Sequence, residues 1–220
     1  MKQTQPPLEI GMLLYPGLTL LDLFGPQTVF SWFANTHLVW KTKDVILSDT
    51  GIGVQPTSTF ETCPQELDIL FVPGGFGQQK IMNDSEVLAF LADRASRSRY
   101  VTSVCSGSLL LGAAGLLKGY KATSHWAARE GLRMHGAEPV DARVVVDRNR
   151  VTGGGVTAGI DFGLVLLAKL RGDDAARLTQ LAMEYDPEPP FNAGNPKVAG
   201  PAVIEQAMGM MAAEMERQAR

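Results

Sequence analysis

The sequence predicts an α/β fold: a mostly parallel sheet with helices covering both faces. Three observations carry that prediction. Short apolar runs alternate with segments of helical spacing, the runs close on glycine or proline at strand length, and Leu67-Asp68-Ile69-Leu70-Phe71-Val72 is almost continuously apolar, as a central strand covered on both faces must be. In such sheets ligands bind at the carboxyl ends of the strands, so chemistry is expected in the loops there.

The elements follow in chain order. Residues 8–14 form a buried strand closed by Tyr15-Pro16-Gly17. A helix comes next, with Thr19 placed to cap it, Leu20, Leu21, Leu23, Phe24, Val29 and Phe30 along it, and Pro26 expected to kink or divide it. Residues 37–40 and 45–47 read as short strands, followed by a turn at Asp49-Thr50-Gly51 and an extended piece near Val54. The central strand at 67–72 runs into Pro73-Gly74-Gly75-Phe76-Gly77. Asn83 or Asp84 caps a helix carrying Val87, Leu88, Phe90, Leu91 and Ala95, and residues 100–104 supply the next, β-branched strand. Cys105 sits at its C-terminal end, and residues 106–114 read as a helix of small and apolar residues that exits through Gly115 and Gly119. Residues 144–147 and 151–152 flank Arg148-Asn149-Arg150 as a hairpin, before Gly153-Gly154-Gly155 and a helix over 157–170. Helices are predicted at 173–185 and 201–220, joined by a proline-rich stretch, 186–200, read as an ordered arm. The apolar face of the last helix, with Val203, Ile204, Ala207, Met208, Met211 and Met215, packs either on a partner subunit or back on its own core.

Composition narrows the function. A chain of 220 residues, 45% hydrophobic, is read as one domain, 1–220, at the usual ~150 residues per domain. With 20 Lys+Arg against 23 Asp+Glu and a net charge of −3, it has no basic field to neutralise phosphates, so nucleic acid is not the expected partner. No apolar stretch approaches the ~20 residues that span a bilayer, and the start lacks a secretory cleavage site, so no membrane partner is predicted and the expected location is the cytoplasm. The 2 cysteines, Cys63 and Cys105, are expected to be reduced there. Cys63 lies in a polar segment with no helix start beside it, and is read as structural or incidental.

Cys105 is different. It stands between a β-branched strand and a helix whose first residues, Ser106, Gly107 and Ser108, are small enough for a sharp turn that strains the backbone and presents the sulfur. The helix start is expected to lower the thiol pKa, making Cys105 the candidate nucleophile rather than an ordinary buried cysteine. The N–H groups of Gly74, Gly75 and Ser106 are candidate oxyanion donors, although Pro-Gly-Gly is first of all a tight turn. The triple glycine before residue 156 lacks a Lys-Ser/Thr tail and is read as close packing near the pocket, not a phosphate loop. Of 3 histidines, His37 and His135 read as solvated, and His125, at a strand-to-helix junction, is the one placed to approach Cys105; a capping or interface role is the alternative. Asp22 falls inside Leu20-Leu21-Asp22-Leu23-Phe24, where burial would raise its pKa into a useful range for proton transfer, or else it lies on a polar stripe. Asp161 poses the same question more weakly.

These motifs carry a resemblance. Tyr15-Pro16-Gly17 with Leu21-Asp22-Leu23-Phe24-Gly25-Pro26, then Pro73-Gly74-Gly75, then Thr102-Ser103-Val104-Cys105-Ser106-Gly107-Ser108 resemble the DJ-1/PfpI superfamily; Ala122-Thr123-Ser124-His125-Trp126 and the stretches 152–162 and 184–195 resemble its isocyanide (isonitrile) hydratases. The resemblance implies a flavodoxin-like sandwich of the class I glutamine amidotransferase type, a homodimer, and no metal or organic cofactor. It implies Cys105 as nucleophile, Asp22 as the carboxylate beside it, and Ser106 where the family has threonine. PfpI-type proteases have histidine at that position, so Ser106 speaks against proteolysis. The implied reaction converts an isocyanide and water to an N-substituted formamide through a cysteine thioimidate. Two alternatives stand beside it: an amidase-like or stress-response thiol protein, and the ligand-binding domain of an AraC-type regulator lacking its DNA-binding portion.

Overall fold

The structure, a computed structural model, describes residues 5–219. β1 (Leu8–Leu13), α1 (Leu20–Phe30) and β2 (Ala34–Trp40) form the first strand–helix–strand unit, and β3 (Ile46–Leu47), β4 (Gly53–Val54) and β5 (Ser58–Thr59) are short. β6 (Leu67–Val72) leads through α2 (Gln78–Ile81) and α3 (Ser85–Ser96) to β7 (Ser98–Val104), which turns at once into α4 (Gly107–Ala113). β8 (Lys121–Ala122), a 3₁₀ helix (Arg129–His135), β9 (Glu138–Pro139), β10 (Val144–Asp147) and β11 (Arg150–Gly153) follow, then α5 (Ala158–Arg171), α6 (Asp173–Ala182), α7 (Pro196–Ala199) and α8 (Pro201–Ala219).

The main sheet has 7 strands in the order β10-β11-β7-β6-β1-β2-β5. All neighbours are parallel except the predicted hairpin β10–β11. From β1 the chain moves outward to β2 and later returns to β6, so the direction of winding reverses between β1 and β6. A crevice opens at the carboxyl ends of these strands, where α/β sheets place their ligands. β1 and β6 are buried along almost their whole length because both faces are covered, and apolar residues such as Ile10, Phe71 and Phe162 each contribute about 1.5–3 kcal/mol by leaving water. α1, α5 and α6 pack side by side, while α3 and α4 lie against β6 and β7.

Asp84, not Asn83, caps α3, accepting from the N–H groups of Glu86 and Val87. Thr19 occupies the N-cap position of α1 without capping it, because its hydroxyl is spent on Asp49 Oδ2 at 2.5 Å. Pro26 does not divide α1. Its ring costs the helix one amide bond and is taken up by close packing on α5, where an added Cβ on Gly159 would stand 3.0 Å from Pro26 Cδ. α6 stops at Ala182, short of the predicted 185, and α2 and the 3₁₀ helix were not predicted, being too short for their periodicity to register. The arm after α6 leads to α8, whose apolar face lies over a cavity of its own chain rather than in the core. Residue 220, the last of the predicted final helix, lies outside the described residues.

Candidate active site

β7 ends in a backbone elbow. Cys105 has φ 54°, a left-handed conformation that costs a non-glycine residue about 1–3 kcal/mol, and the surroundings hold it there. Its N–H donates to Gly153 O at 3.1 Å and Gly154 O at 2.7 Å, while its carbonyl accepts from Ser108 Oγ at 3.1 Å and Ser124 Oγ at 2.9 Å. Gly107 lets α4 start flush against β6, for an added Cβ would lie 2.3 Å from Val72 O. The predicted strained turn is therefore present, and the triple glycine that begins at the end of β11 supplies the carbonyls that fix it.

Asp22, one turn into α1, is 0% exposed and lies beside the thiol. Its Oδ2 accepts from Gly74 N–H at 3.0 Å and Oδ1 has no hydrogen-bond partner, while the neighbouring Cys105 thiol acts on the carboxyl's titration. Burial pushes the Asp22 pKa from 3.8 up to about 7, against the lowering pull of the Cys105 and Gly74 hydrogen bonds. The loop carrying Gly74 is held from below by Tyr15, whose buried hydroxyl donates to Pro73 O at 2.9 Å. Asp22 is thus not on a polar stripe.

The thiol corrects one expectation. Burial first, and the Asp22 charge second, raise the Cys105 pKa well above the ordinary thiol value, and the N–H groups of Ser106 and Val156 that donate to the sulfur offset this only in part. α4 has only 7 residues, too little to outweigh burial. Burial thus disfavours a free thiolate, and sulfur and carboxyl titrate as a pair that can share a proton.

The three candidate oxyanion donors have partners in the resting site: Gly74 N–H donates to Asp22, Gly75 N–H donates to Ser106 Oγ at 3.1 Å, and Ser106 N–H donates to the sulfur. The glycines position the carboxyl and the hydroxyl. An added Cβ on Gly74 would lie 2.6 Å from Asp22 Oδ2 and 2.7 Å from Cys105 Cβ, so only glycine lets these groups meet. Ser106 Oγ also reaches Gly75 O at 3.4 Å, which holds its rotamer without the methyl of a threonine.

Cys105, Ser106, Gly75 and His125 line one cavity of about 520 Å³, whose walls include Phe76, Leu109, Val156 and Met211. No Lys, Arg, Asp or Glu is among its lining residues, and Asp22 and Gly74 stand behind the sulfur. His125 is half-buried with its pKa lowered by burial; Nδ1 accepts from Ala127 N–H at 3.3 Å, so the neutral ring carries its proton on Nε2. His125 and Val156 also border a second, polar cavity of about 340 Å³ containing Arg129, Asp141 and Lys197. His37 is paired with Glu9 Oε2 at 2.7 Å, and His135 Nε2 is buried without a partner, so neither is simply solvated. Asp161 accepts from Arg143 Nε and Tyr185 Oη. Cys63 is buried, with its pKa raised by that burial, and fits the structural reading. Among the described residues no cluster of His, Cys, Asp and Glu is arranged to hold a metal.

Three contributions to the site were hidden or only partly legible in the sequence. The Val156 amide acts through its backbone, and Ser124 through a bond to the Cys105 carbonyl; only the position of Ser124 beside His125 hinted at it. The methionines of α8 were visible as an apolar face without a destination.

A model of the DJ-1/PfpI family matches residues 9–169. The chain is 51% identical over 202 residues to an isonitrile hydratase from Pseudomonas putida, covering 91% of this chain and 88% of that protein. It is 31% identical to the HTH-type transcriptional regulator GbdR from Pseudomonas aeruginosa over 77% of this chain but 48% of the regulator. A crystal structure of a THiJ/PfpI family protein from Pseudomonas syringae superposes with a TM-score of 0.91 at 51% identity, covering 100% of this chain and 95% of that one. The family model covers most of the chain and the fold superposes on a family member over its whole length, so the chain belongs to the DJ-1/PfpI family.

Proposed function

We propose that this protein is an isocyanide hydratase, converting an isocyanide, R–N≡C, and water to the N-substituted formamide, R–NH–CHO. The observation that carries the reading is the buried Cys105–Asp22 pair at the floor of an uncharged cavity; the 51% identity to an isonitrile hydratase over most of both chains supports it.

The thiol proton passes to Asp22, and the sulfur, held by the Ser106 and Val156 amides, attacks the terminal carbon of the substrate. That carbon carries a lone pair, so it must gain a proton as the C–S bond forms, and the proton held by Asp22 returns to it at the sulfur's side. The product is a thioimidate, R–N=CH–S–Cys105. Water then adds to the same carbon, one of its protons going to nitrogen. The C–S bond breaks, the formamide leaves, and the pair recovers its single shared proton. Ser106 tethers the Gly75 loop at the cavity wall, and His125 bounds it on the side of the polar cavity. No cofactor enters these steps.

The decisive assay follows loss of an aryl isocyanide by absorbance, with formamide identified by mass, for the wild type and Cys105→Ala. Wild type is expected to convert the substrate and the variant to leave it untouched; turnover by Cys105→Ala defeats the mechanism. The cytoplasm is the proposed location, and among the described residues no helix is long and apolar enough to cross a membrane. A homodimer is proposed as well. Leu178, Leu181, Phe191 and Val198, all half or more exposed, lie along α6 and the arm, and would be shielded in such an assembly.

A further inference from the structure

Three methionines roof the cavity over Cys105. Met208, Met211 and Met215, with Ala212, fall at i, i+3, i+7 and i+4 of α8, which places them on one face of the helix, and all four line the cavity that holds the sulfur. None of the described side chains of α8 is fully buried, so the helix is a cover and not part of the core. It is latched near its C-terminal end, where Arg217 Nη2 and Gln218 Nε2 donate to Asp49 O at 2.9 and 3.3 Å. Asp49 in turn accepts from Thr19, which lines the same cavity.

Every isocyanide offers the same N≡C group to Cys105, so one substrate can be told from another only by the room and contact given to its N-substituent. The floor around the sulfur is fixed by the elbow and by α4. The roof is made of unbranched thioethers, which adapt to apolar shapes and favour aromatic contacts. We infer that Met208, Met211 and Met215 are the specificity-determining residues of this enzyme, favouring bulky uncharged aryl or alkyl substituents over small ones. The inference rests on the hydratase reading of Cys105.

The test compares kcat/KM for 2-naphthyl isocyanide and for methyl isocyanide across wild type, Met211→Phe, Met211→Ala and Met210→Phe. Met210 is on the same helix, 75% exposed and outside the cavity lining. A change of a few methylenes in an apolar pocket shifts discrimination by roughly tenfold or more, so the naphthyl-to-methyl ratio is expected to fall by about that factor when Phe takes the room and when Ala removes the contact. Met210→Phe is expected to keep the wild-type ratio. If a Met211 variant loses its helix content by circular dichroism, Met208→Ala and Met215→Ala carry the same expectation. Unchanged ratios in the folded roof variants, with brisk turnover of both substrates, overturn the roof alone. A wild type inert to both isocyanides overturns the hydratase reading and this inference with it.

Discussion

In the proposed mechanism Asp22 is a side chain that trades stability for proton transfer. Its pKa in the fold, about 7, lies above its ordinary 3.8, so the native state prefers the protonated form and the ionised carboxyl weakens the fold. The destabilisation is absent below pH ~4, grows as pH rises towards 7 and is complete above it, amounting to as much as about 4 kcal/mol. Asp22→Asn keeps an oxygen for Gly74 N–H and removes the charge. Urea denaturation is expected to show the variant more stable than wild type at pH 8, with the gain vanishing near pH 4; equal stability at pH 8 would mean that the carboxyl is not strained there. The same variant should lose at least ~10²-fold in kcat, the usual contribution of a positioned proton donor. Because the resting pair holds one proton between sulfur and carboxyl, kcat/KM in the wild type should rise with pH through about 7, as the second proton leaves, and Asp22→Asn should lack that limb.

At the scale of the element, the site depends on how closely two strand ends and the start of α1 approach one another. The Gly74 loop after β6 touches both the carboxyl from α1 and the elbow after β7, and α4 starts within contact of Val72 and Pro73. Gly74→Ala is expected to abolish measurable turnover, since its Cβ would meet Asp22 Oδ2, Cys105 Cβ and the Ser106 amide nitrogen, all within 2.7 Å. Gly107→Ala would drive a Cβ into the carbonyls of Val72 and Pro73, and a loss of about 3 kcal/mol by urea denaturation is expected from such overpacking. Gly194→Ala, which meets nothing within 4 Å, serves as the neutral control. If Gly74→Ala retained activity, the close approach of the loops would have no catalytic meaning. Much at this scale was legible beforehand: β6, β7 and the β10–β11 hairpin stand where apolar runs and turn residues put them. Pro26 was expected to kink or divide α1 and does not divide it, because the sequence shows the lost amide bond but not the α5 surface that accommodates the ring.

At the scale of the molecule, the proposed homodimer sets the mass in solution. Light scattering is expected to give twice 23.7 kDa, and Leu181→Asp with Phe191→Asp, at positions 79% and 80% exposed in the single chain, is expected to move the mass towards that of one chain. A wild type that stays at 23.7 kDa across a hundredfold range of concentration sinks the proposal. With a net charge of only −3, neither result should depend strongly on salt.

The sequence by itself determined the α/β class and the sharp turn at Cys105, because strand periodicity, turn chemistry and small residues at a helix start all act over a few neighbours; Asp22 rose above a polar-stripe reading only through the family resemblance. Only the tertiary structure decided that Asp22 faces the thiol, that the oxyanion candidates are already bound, that the thiol pKa rises instead of falling, and that the α8 methionines roof the cavity. Each of these depends on which distant groups share a buried volume and how far water is excluded from it, and burial is a property of the packed chain.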